Sequence, residues 1–236
     1  MKHRKPLIVG IGGTLRDNST SERALRLALR FAAEAGCATE VFAGQAMNLP
    51  HYDTSSRLRG AEAEGLIAAL RQADGVILSS PGYHGTISGL VKNALDYIED
   101  MRSDKRVYLS ERSVGIIVCA DGIQAMGSTM NTLRSIAHAL RAWPTPFAAA
   151  INATSRPFAL DGTCVSMEVE QSLKLLAAQV VEFAQMRIAA DQNETASASR
   201  DAALLAAAEL TQAAAEWGEI TGIHFNPRRS VDEETH

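Results

Sequence analysis

The sequence has little cysteine and no surplus of positive charge. Only three cysteines, Cys37, Cys119 and Cys164, occur in 236 residues, and none belongs to a CxxC pair, so we expect neither a disulfide framework nor a zinc site. The six histidines are scattered without the spacing of metal ligands. The formal net charge is -4 and there is no basic stripe, so nucleic-acid binding has no electrostatic support.

Long hydrophobic runs are also missing. No stretch reaches the roughly 18 apolar residues of a membrane-spanning helix, and the apolar run at 7–11 is too short for the core of a signal peptide. Hydrophobic residues nevertheless make up 46% of the chain and charged residues 21%, which is typical of a globular domain. We therefore expect a cytoplasmic protein without membrane attachment.

What the chain does contain is a regular alternation of apolar runs and segments with helical periodicity. Apolar runs that end at glycine, proline or aspartate predict strands at 6–12, 38–43, 74–80, 113–120 and 147–151. Helical spacing predicts helices at 21–35, 61–72, 88–101, 127–142 and 165–189. Strands that alternate with helices predict a parallel sheet covered on both faces.

The last part of the chain differs in composition from the rest. Residues 191–200 (DQNETASASR) are polar and predict a linker, and residues 201–217 are rich in alanine and predict a helix. The chain then ends in NPRRSVDEETH, which predicts a disordered tail. We therefore expect one domain at 1–190, followed by a linker, a helix and a tail at 191–236.

The loop after the first predicted strand, GGTLRDNSTSER at 12–23, combines glycines, hydroxyls and an arginine. Glycine permits a tight turn, Arg16 suits a bidentate contact with phosphate, and the following helix N-terminus favours an anion. The loop lacks GxxxxGK[ST] and a complete GxGxxG. A capping box from Ser19 to Glu22 is the alternative interpretation, but it requires neither Arg16 nor four hydroxyls. The loop therefore predicts a phosphate site formed by Thr14, Arg16, Ser19, Thr20 and Ser21.

Two further loops leave the ends of predicted strands. The segment 79–100 places Tyr83 and His84 between glycines, which suits contacts with a flat ring and its polar edge. The segment 120–134 carries Asp121 and Gly122 after the fourth strand. Because ligands bind where parallel strands end, we expect the three loops to surround one site. There is no catalytic dyad or triad in the sequence, so no catalytic residue is predicted.

Two of these loops resemble motifs of the NADPH-dependent FMN reductase family. Residues 13–19, GTLRDNS, are similar to its phosphate loop G-S-x-R-x-x-S, with threonine for serine at 14. Residues 81–96, PGYHGTISGLVKNALD, are similar to P-E-Y-N-G-S-x-P-G-x-L-K-N-A-x-D. Here glycine replaces glutamate at 82, histidine replaces asparagine at 84 and serine replaces proline at 88. The resemblance covers residues 6–188.

The resemblance implies an α/β fold of the flavodoxin-like kind: a three-layer sandwich with a five-stranded parallel sheet in the order 2-1-3-4-5, plus a C-terminal helical extension. It implies FMN as the cofactor, with its phosphate on the first loop. The ring and the ribityl chain are expected to contact Pro81, Gly82, Tyr83, His84, Gly85 and Thr86. Asp121 and Gly122 are expected on the far side of the isoalloxazine ring.

The activity implied by the resemblance is hydride transfer from NAD(P)H to FMN, which needs orientation more than a protein acid or base. Reduced FMN is then expected to supply a flavin-dependent monooxygenase. Three alternatives stay open: bound FMN that reduces a small-molecule acceptor such as a quinone, an azo dye or a metal oxyanion; a flavodoxin-like electron carrier without NAD(P)H activity; and a binding protein without flavin. Arg16 and the modest charge argue against the carrier. The resemblance also implies a homodimer or homotetramer.

Overall fold

The computed structural model of the protein describes residues 4–221. Its strands are β1 (Leu7–Gly12), β2 (Ala38–Phe42), β3 (Gly75–Tyr83), β4 (Thr86–Ile87), β5 (Ser113–Ala120), β6 (Trp143–Pro144) and β7 (Ala149–Asn152). Parallel pairing gives the order β2-β1-β3-β5-β6, and β7 also pairs with β5 in parallel. The two-residue β4 pairs with β3 in the antiparallel direction. A parallel sheet is therefore confirmed.

The number and order of the strands differ from the prediction of five strands in the order 2-1-3-4-5. The fifth position is divided between β6 and β7, because the chain leaves the ladder after Thr145: the Phe147 N–H donates to the Gln179 side chain and not to β5, and pairing resumes only at Ala149. The third strand does not end at Pro81; it continues to Tyr83 and pairs there with β4. Proline is tolerated at 81 because β1 has already ended, opposite Ser79, and leaves that side of β3 free.

The helices are α1 (Thr20–Glu34), α2 (Ala61–Gln72), α3 (Gly89–Asp96), α4 (Ile123–Ala139) and α5 (Met167–Thr221). The bounds predicted for α2 are confirmed. Helix α3 ends at Asp96 and continues as a 3-10 helix over Tyr97–Met101. Helix α4 begins at Ile123 rather than 127, because Gly122 serves as its extended N-cap residue. The loop after β5 is therefore only two residues long.

Two apolar layers enclose the sheet, as the alternation of side chains along a strand requires. On one face, Val9, Val76 and Val114 belong to a buried cluster that includes residues of α2, α3 and α4. On the other face, Ile8 and Ile77 belong to a cluster that includes residues of α1 and α5. The result is a three-layer arrangement of helices, sheet and helices.

The C-terminal helix α5 departs from the sequence prediction. The chain divides into two compact units, with the boundary after Ile188. Residues 191–200, predicted to be a linker, are helical, so the linker prediction is wrong. The Thr195 hydroxyl in this segment is compatible with a helix, since Oγ1 donates to the carbonyl of Asp191 at 2.8 Å. The predicted tail lies outside the described residues. Along residues 4–221, no helix is long and apolar enough to cross a membrane.

Candidate functional site

Three loops meet at the carboxyl edge of the sheet. They follow β1, β3 and β5, which are adjacent and parallel, so their ends lie side by side. The structure thereby brings the predicted site residues of all three loops, 14–21, 81–86 and 121–122, to one edge of the sheet. This is the edge at which open α/β sheets bind ligands.

The turn at Gly12 and Gly13 presses the first loop against β3. Both residues have positive φ angles, 150° and 93°. A Cβ atom at Gly12 would lie only 1.9 Å from the Ser79 carbonyl oxygen, and the Gly13 N–H donates to that same oxygen at 3.1 Å. No side chain fits at position 12, so the backbone of the loop stays close to the neighbouring strand.

The N-terminus of α1 shows that part of the hydroxyl-rich loop caps the helix. Ser19 is the N-cap residue, and its Oγ accepts from the Glu22 N–H at 3.3 Å and lies 3.3 Å from Ser21 Oγ. Both serines are buried. The Glu22 carboxylate accepts in turn from the Asn18 N–H at 3.2 Å. The capping interaction is therefore present, and the hydroxyls of Ser19 and Ser21 are used within the protein.

The rest of the loop keeps donors available for an anion. The guanidinium of Arg16 is exposed and forms no hydrogen bond or ion pair with any described residue. The backbone N–H groups of Thr20 and Ser21, at the first turn of α1, likewise have no partner among residues 4–221. Thr14 Oγ1 accepts from the Arg16 N–H at 3.1 Å and shapes the turn that carries the arginine. A free cation beside free helix amides fits a phosphate group.

The second loop is a two-residue hairpin turn between β3 and β4. Tyr83 pairs with Thr86, and the two turn residues, His84 and Gly85, have φ angles of 51° and 83°. Positive φ at both central positions is the mark of a type I′ turn. The Tyr83 side chain is 51% exposed, and His84 is exposed without a hydrogen-bonding partner among the described residues. The turn therefore presents an aromatic ring and an imidazole at the site.

Helix α4 holds this turn from one side. The Ser128 hydroxyl donates a short hydrogen bond to the Gly85 carbonyl. At Gly82, a Cβ atom would lie 2.9 Å from Thr129 Oγ1 and 3.0 Å from Ala120 Cβ, so α4 packs directly on the backbone of β3. The sequence analysis did not identify Ser128 and Thr129 as site residues. Both residues lie over the end of β3 because α4 begins at Ile123, four residues before the predicted start.

The third loop consists of Asp121 and Gly122, and both are exposed. Ile123, the first residue of α4, is 83% exposed, and Leu15 on the first loop is 42% exposed. Together with Tyr83, each loop thus presents one exposed apolar side chain. Sequence reasoning missed Leu15 and Ile123, because an apolar residue next to a strand end is indistinguishable there from a core residue. Apolar surface of this kind suits contact with a flat ring.

The asparagine of the second motif has a role away from the three loops. Asn93 accepts from the Tyr52 N–H at 2.9 Å and donates to the Pro50 carbonyl at 2.8 Å. The Tyr52 hydroxyl donates to Asp100, which also accepts two hydrogen bonds from Arg59 at 2.7 and 2.9 Å. The Arg59 hydrogen bonds hold the pKa of the Asp100 carboxyl below its usual range. Asn93 therefore anchors the segment that follows β2.

The remaining reactive groups do not extend the site. Burial raises the pKa of the Cys119 thiol to about 12, so it stays protonated and is a poor nucleophile. All three cysteines are free. Among residues 4–221, no cluster of histidine, cysteine and carboxylate side chains has the arrangement of a metal site.

The strand order and the helices on both faces define a flavodoxin-like fold, and sheets of this kind bind ligands at their carboxyl edge. The family model described as NADPH-dependent FMN reductase matches residues 6–155. The chain belongs to this family. The match includes all three loops of the candidate site.

Comparison with individual proteins agrees with this assignment. The FMN-dependent NADPH-azoreductase of Staphylococcus saprophyticus is 31% identical over 117 residues, which are 48% of this chain and 57% of that protein. The match thus spans little more than half the length of this relative. The flavoenzyme NAD(P)H:(acceptor) oxidoreductase FerB of Paracoccus denitrificans shares the fold with a TM-score of 0.62 at 18% identity, over 77% of this chain and 98% of that chain. A WrbA-like flavodoxin of Agrobacterium tumefaciens has a TM-score of 0.53 at 14% identity, over 78% and 99%.

Proposed function

We propose that this protein is an NAD(P)H-dependent flavin oxidoreductase that binds FMN at the carboxyl edge of its sheet. One observation carries the proposal. The free guanidinium of Arg16 and the unpartnered backbone amides of Thr20 and Ser21 belong to the same loop. A phosphate monoester needs both charge and convergent donors, and this loop offers both. Family membership and the relatives' names support FMN as the phosphate-bearing ligand.

The residues of the first loop divide the work of phosphate binding. Arg16 supplies the charge, and the Thr20 hydroxyl and the first amides of α1 supply neutral donors. Ser19 and Ser21 contribute through the backbone, because their side chains are buried and bonded to each other. Thr14 keeps the Arg16 peptide in place.

The second and third loops border the position of the flavin ring. Pro81, Gly82 and the hairpin turn from Tyr83 to Thr86 line one side, and Asp121 and Gly122 line the other. When bound, FMN supplies the acceptor and donor of the hydride. The protein then has to orient the nicotinamide and exclude water, which the exposed apolar side chains of the three loops favour. We expect no protein acid or base in the nicotinamide step.

The electron acceptor is a finer part of the proposal. The names azoreductase and NAD(P)H:(acceptor) oxidoreductase support a small-molecule acceptor reduced while FMN stays bound. Release of reduced FMN to a monooxygenase is the second candidate, and the family description, NADPH-dependent FMN reductase, supports only its first half, the reduction of FMN. We further propose that the protein is cytoplasmic and forms a homodimer or homotetramer. Size-exclusion chromatography with light scattering measures the number of subunits.

Binding of FMN and riboflavin to the same variants tests the proposal. Riboflavin lacks the phosphate, so Arg16→Ala should weaken FMN at least about tenfold and leave riboflavin unchanged. Arg30→Ala, on the outer surface of α1 and 63% exposed at its side chain, is the matched control. Equal FMN affinity in Arg16→Ala and in the wild type contradicts the phosphate assignment.

The oxidation of NADH and NADPH, followed by absorbance, separates the two candidate acceptors. A protein that retains FMN through purification, and oxidises NAD(P)H rapidly only with a quinone or azo dye, supports the bound-flavin enzyme. A protein that is purified without flavin and turns over when FMN is added supports the flavin reductase. A protein that neither binds FMN nor oxidises NAD(P)H contradicts the proposal.

A further inference from the structure

His84 occupies a backbone position that does not favour histidine. It is the first central residue of the type I′ turn, with φ at 51°. Asparagine, aspartate and glycine are preferred there because they adopt positive φ most readily. Histidine gains nothing locally in exchange, since its imidazole bonds to no described residue. Positive φ also occurs at Tyr108, Glu111 and Arg141, away from the three loops. What distinguishes His84 is its exposed imidazole at the carboxyl edge of the sheet, beside the candidate site.

The turn that carries His84 is fixed by its surroundings. Ser128 donates to the Gly85 carbonyl, and α4 lies against Gly82 without room for a side chain. The Ser80 hydroxyl accepts from the Ser88 N–H at 3.0 Å and closes the other end of the hairpin. The imidazole is therefore held at the carboxyl edge by a rigid turn and remains open to solvent.

The charged groups near this turn differ from His84 in chemistry. Asp121 lies on the loop after β5, and Arg16 and Asp17 lie on the loop after β1. Lys92 of α3 is paired with Asp96 at 2.5 Å. The first charged residue of α4 is Arg134, which donates to two backbone carbonyls. Histidine is the side-chain type that exchanges protons near neutral pH, and on these three loops His84 is the only one.

We propose that His84 is a catalytic residue that gives a proton to an acceptor that takes up a hydride together with a proton, as a quinone does. The inference rests on the proposed function. A quinone accepts the hydride that originates from NAD(P)H, and the imidazolium N–H breaks as the new O–H bond of the hydroquinone forms. The neutral imidazole regains its proton from water, to which it is exposed. The net change is NAD(P)H, quinone and one proton to NAD(P)⁺ and hydroquinone.

The test compares an acceptor that needs a proton with one that does not. His84→Asn keeps the turn, because asparagine is favoured at that position, and removes the proton donor. At saturating FMN, kcat with benzoquinone should fall at least about tenfold relative to kcat with ferricyanide, which takes electrons without protons. His138→Asn, at the exposed distal end of α4, is the matched control and should leave both rates unchanged.

A binding measurement complements the rates. In protein labelled with ¹⁵N-histidine, the imidazole signal that disappears in His84→Asn belongs to His84. That signal should shift when hydroquinone is added, and the His138 signal should not. Because His84 also borders the proposed flavin position, the FMN affinity of His84→Asn is measured as well, and the rates are compared only at saturating FMN.

Several results overturn the inference. An equal loss of rate with both acceptors in His84→Asn means that the residue positions the flavin and donates no proton. Unchanged rates with both, or a loss selective for benzoquinone in Tyr83→Phe or His51→Asn instead, assign the proton to another group or to water. These outcomes leave the proposed function standing. A wild-type protein that binds no FMN overturns the proposed function and this inference together.

Discussion

The two edges of the sheet use their charged residues in opposite ways. At the amino edge, the fully buried Arg112 donates to the carbonyls of Ala73, Tyr108, Ser110 and Arg71 at 3.0 to 3.2 Å. At the carboxyl edge, Arg16 is exposed and has no partner among the described residues. The first arginine closes the fold and the second leaves its donors open for a ligand.

Burial is costly for the amino-edge arginine. Desolvation lowers the pKa of Arg112 to about 10, because the charged form has lost its water. It lies in no ion pair with a carboxylate within the described part of the chain. Four carbonyl dipoles and the more distant charges of Asp74, Glu111 and Asp104 compensate part of this cost. Asp74, beside it at the same edge, is bound instead by Arg4 at 2.7 and 2.8 Å and by the Leu7 N–H at 2.8 Å. Both charges at this edge thus stabilise strand ends.

The largest expected effect is the loss of stability when Arg112, at the amino edge of the sheet, is replaced. Arg112→Met removes the donor of the Tyr108, Ser110 and Arg71 carbonyls, whereas the Ala73 carbonyl still accepts from Arg106 at 3.2 Å. Each buried unsatisfied group costs about 1–3 kcal/mol. We expect the free energy of unfolding, measured by urea denaturation, to fall by about 3 kcal/mol or more. Arg30→Met is the exposed control and should change it by less than about 0.5 kcal/mol. A loss below about 1 kcal/mol in Arg112→Met would refute the structural role of this arginine.

A second effect concerns the cluster that anchors the segment after β2. Asp100→Asn removes the carboxylate that accepts two hydrogen bonds from Arg59, and we expect a loss of about 1–2 kcal/mol at neutral pH. The pKa of Asp100 is lowered in the folded state, so this contribution is present above the unfolded pKa and disappears as the pH falls through the folded pKa. The difference in stability between wild type and Asp100→Asn should therefore shrink in acid. Asp96→Asn, at an exposed ion pair, should cost at most about 0.5 kcal/mol.

Ser19→Ala tests whether the Ser19 hydroxyl caps helix α1 or binds the phosphate. Loss of the N-cap hydroxyl should lower the free energy of unfolding by about 1 kcal/mol. Because that hydroxyl is bonded to the Glu22 N–H and near Ser21, the FMN dissociation constant should change by less than about threefold. Fluorescence titration with FMN measures it. A tenfold weaker affinity with unchanged stability would mean that Ser19 contacts the phosphate and does not cap the helix.

The smallest expected effect on stability is that of replacing Arg16 at the carboxyl edge, which is compared with the effect of replacing Arg112 at the amino edge. Arg16→Ala should change the free energy of unfolding by less than about 0.5 kcal/mol, although it weakens FMN binding. Chemical denaturation without FMN measures this difference. If Arg16→Ala lowers stability as Arg112→Met does, the arginine of the carboxyl edge has a partner in the fold and is no open anion site.

The sequence predicts the bounds of a helix well where its apolar residues follow the helical spacing throughout. Helix α2 follows from the spacing of Ala63, Leu66, Ile67 and Leu70, which the structure buries. For α4 the sequence predicts a start at 127, because Gly127 resembles a breaker. In the structure Gly127 lies on an exposed face, where an added Cβ would have no atom within 4 Å, so it does not interrupt the helix. A glycine inside a helix can only be distinguished from a cap once its surroundings are known.

The sequence predicts the location of the candidate site but not the division of roles within it. Arg16 and the helix N-terminus follow from local chemistry alone. The burial of Ser21 depends on β3, whose Ser79 hydroxyl donates to the Ser21 carbonyl at 2.8 Å, and no local pattern shows that contact. Strand β4 has only two residues, too few for periodicity, so the type I′ turn and the backbone angle of His84 are not predictable from the sequence.

The contact between Gly82 and α4 constrains how this sequence can change. The related motif has glutamate at this position, but here a Cβ atom would meet Thr129 Oγ1 at 2.9 Å and Ala120 Cβ at 3.0 Å. The Thr129 hydroxyl is buried without a hydrogen-bonding partner within residues 4–221. A side chain at position 82 therefore requires Thr129 and Ala120 to give way. Which residue can stand at the end of this strand depends on the residues that α4 and β5 place opposite it.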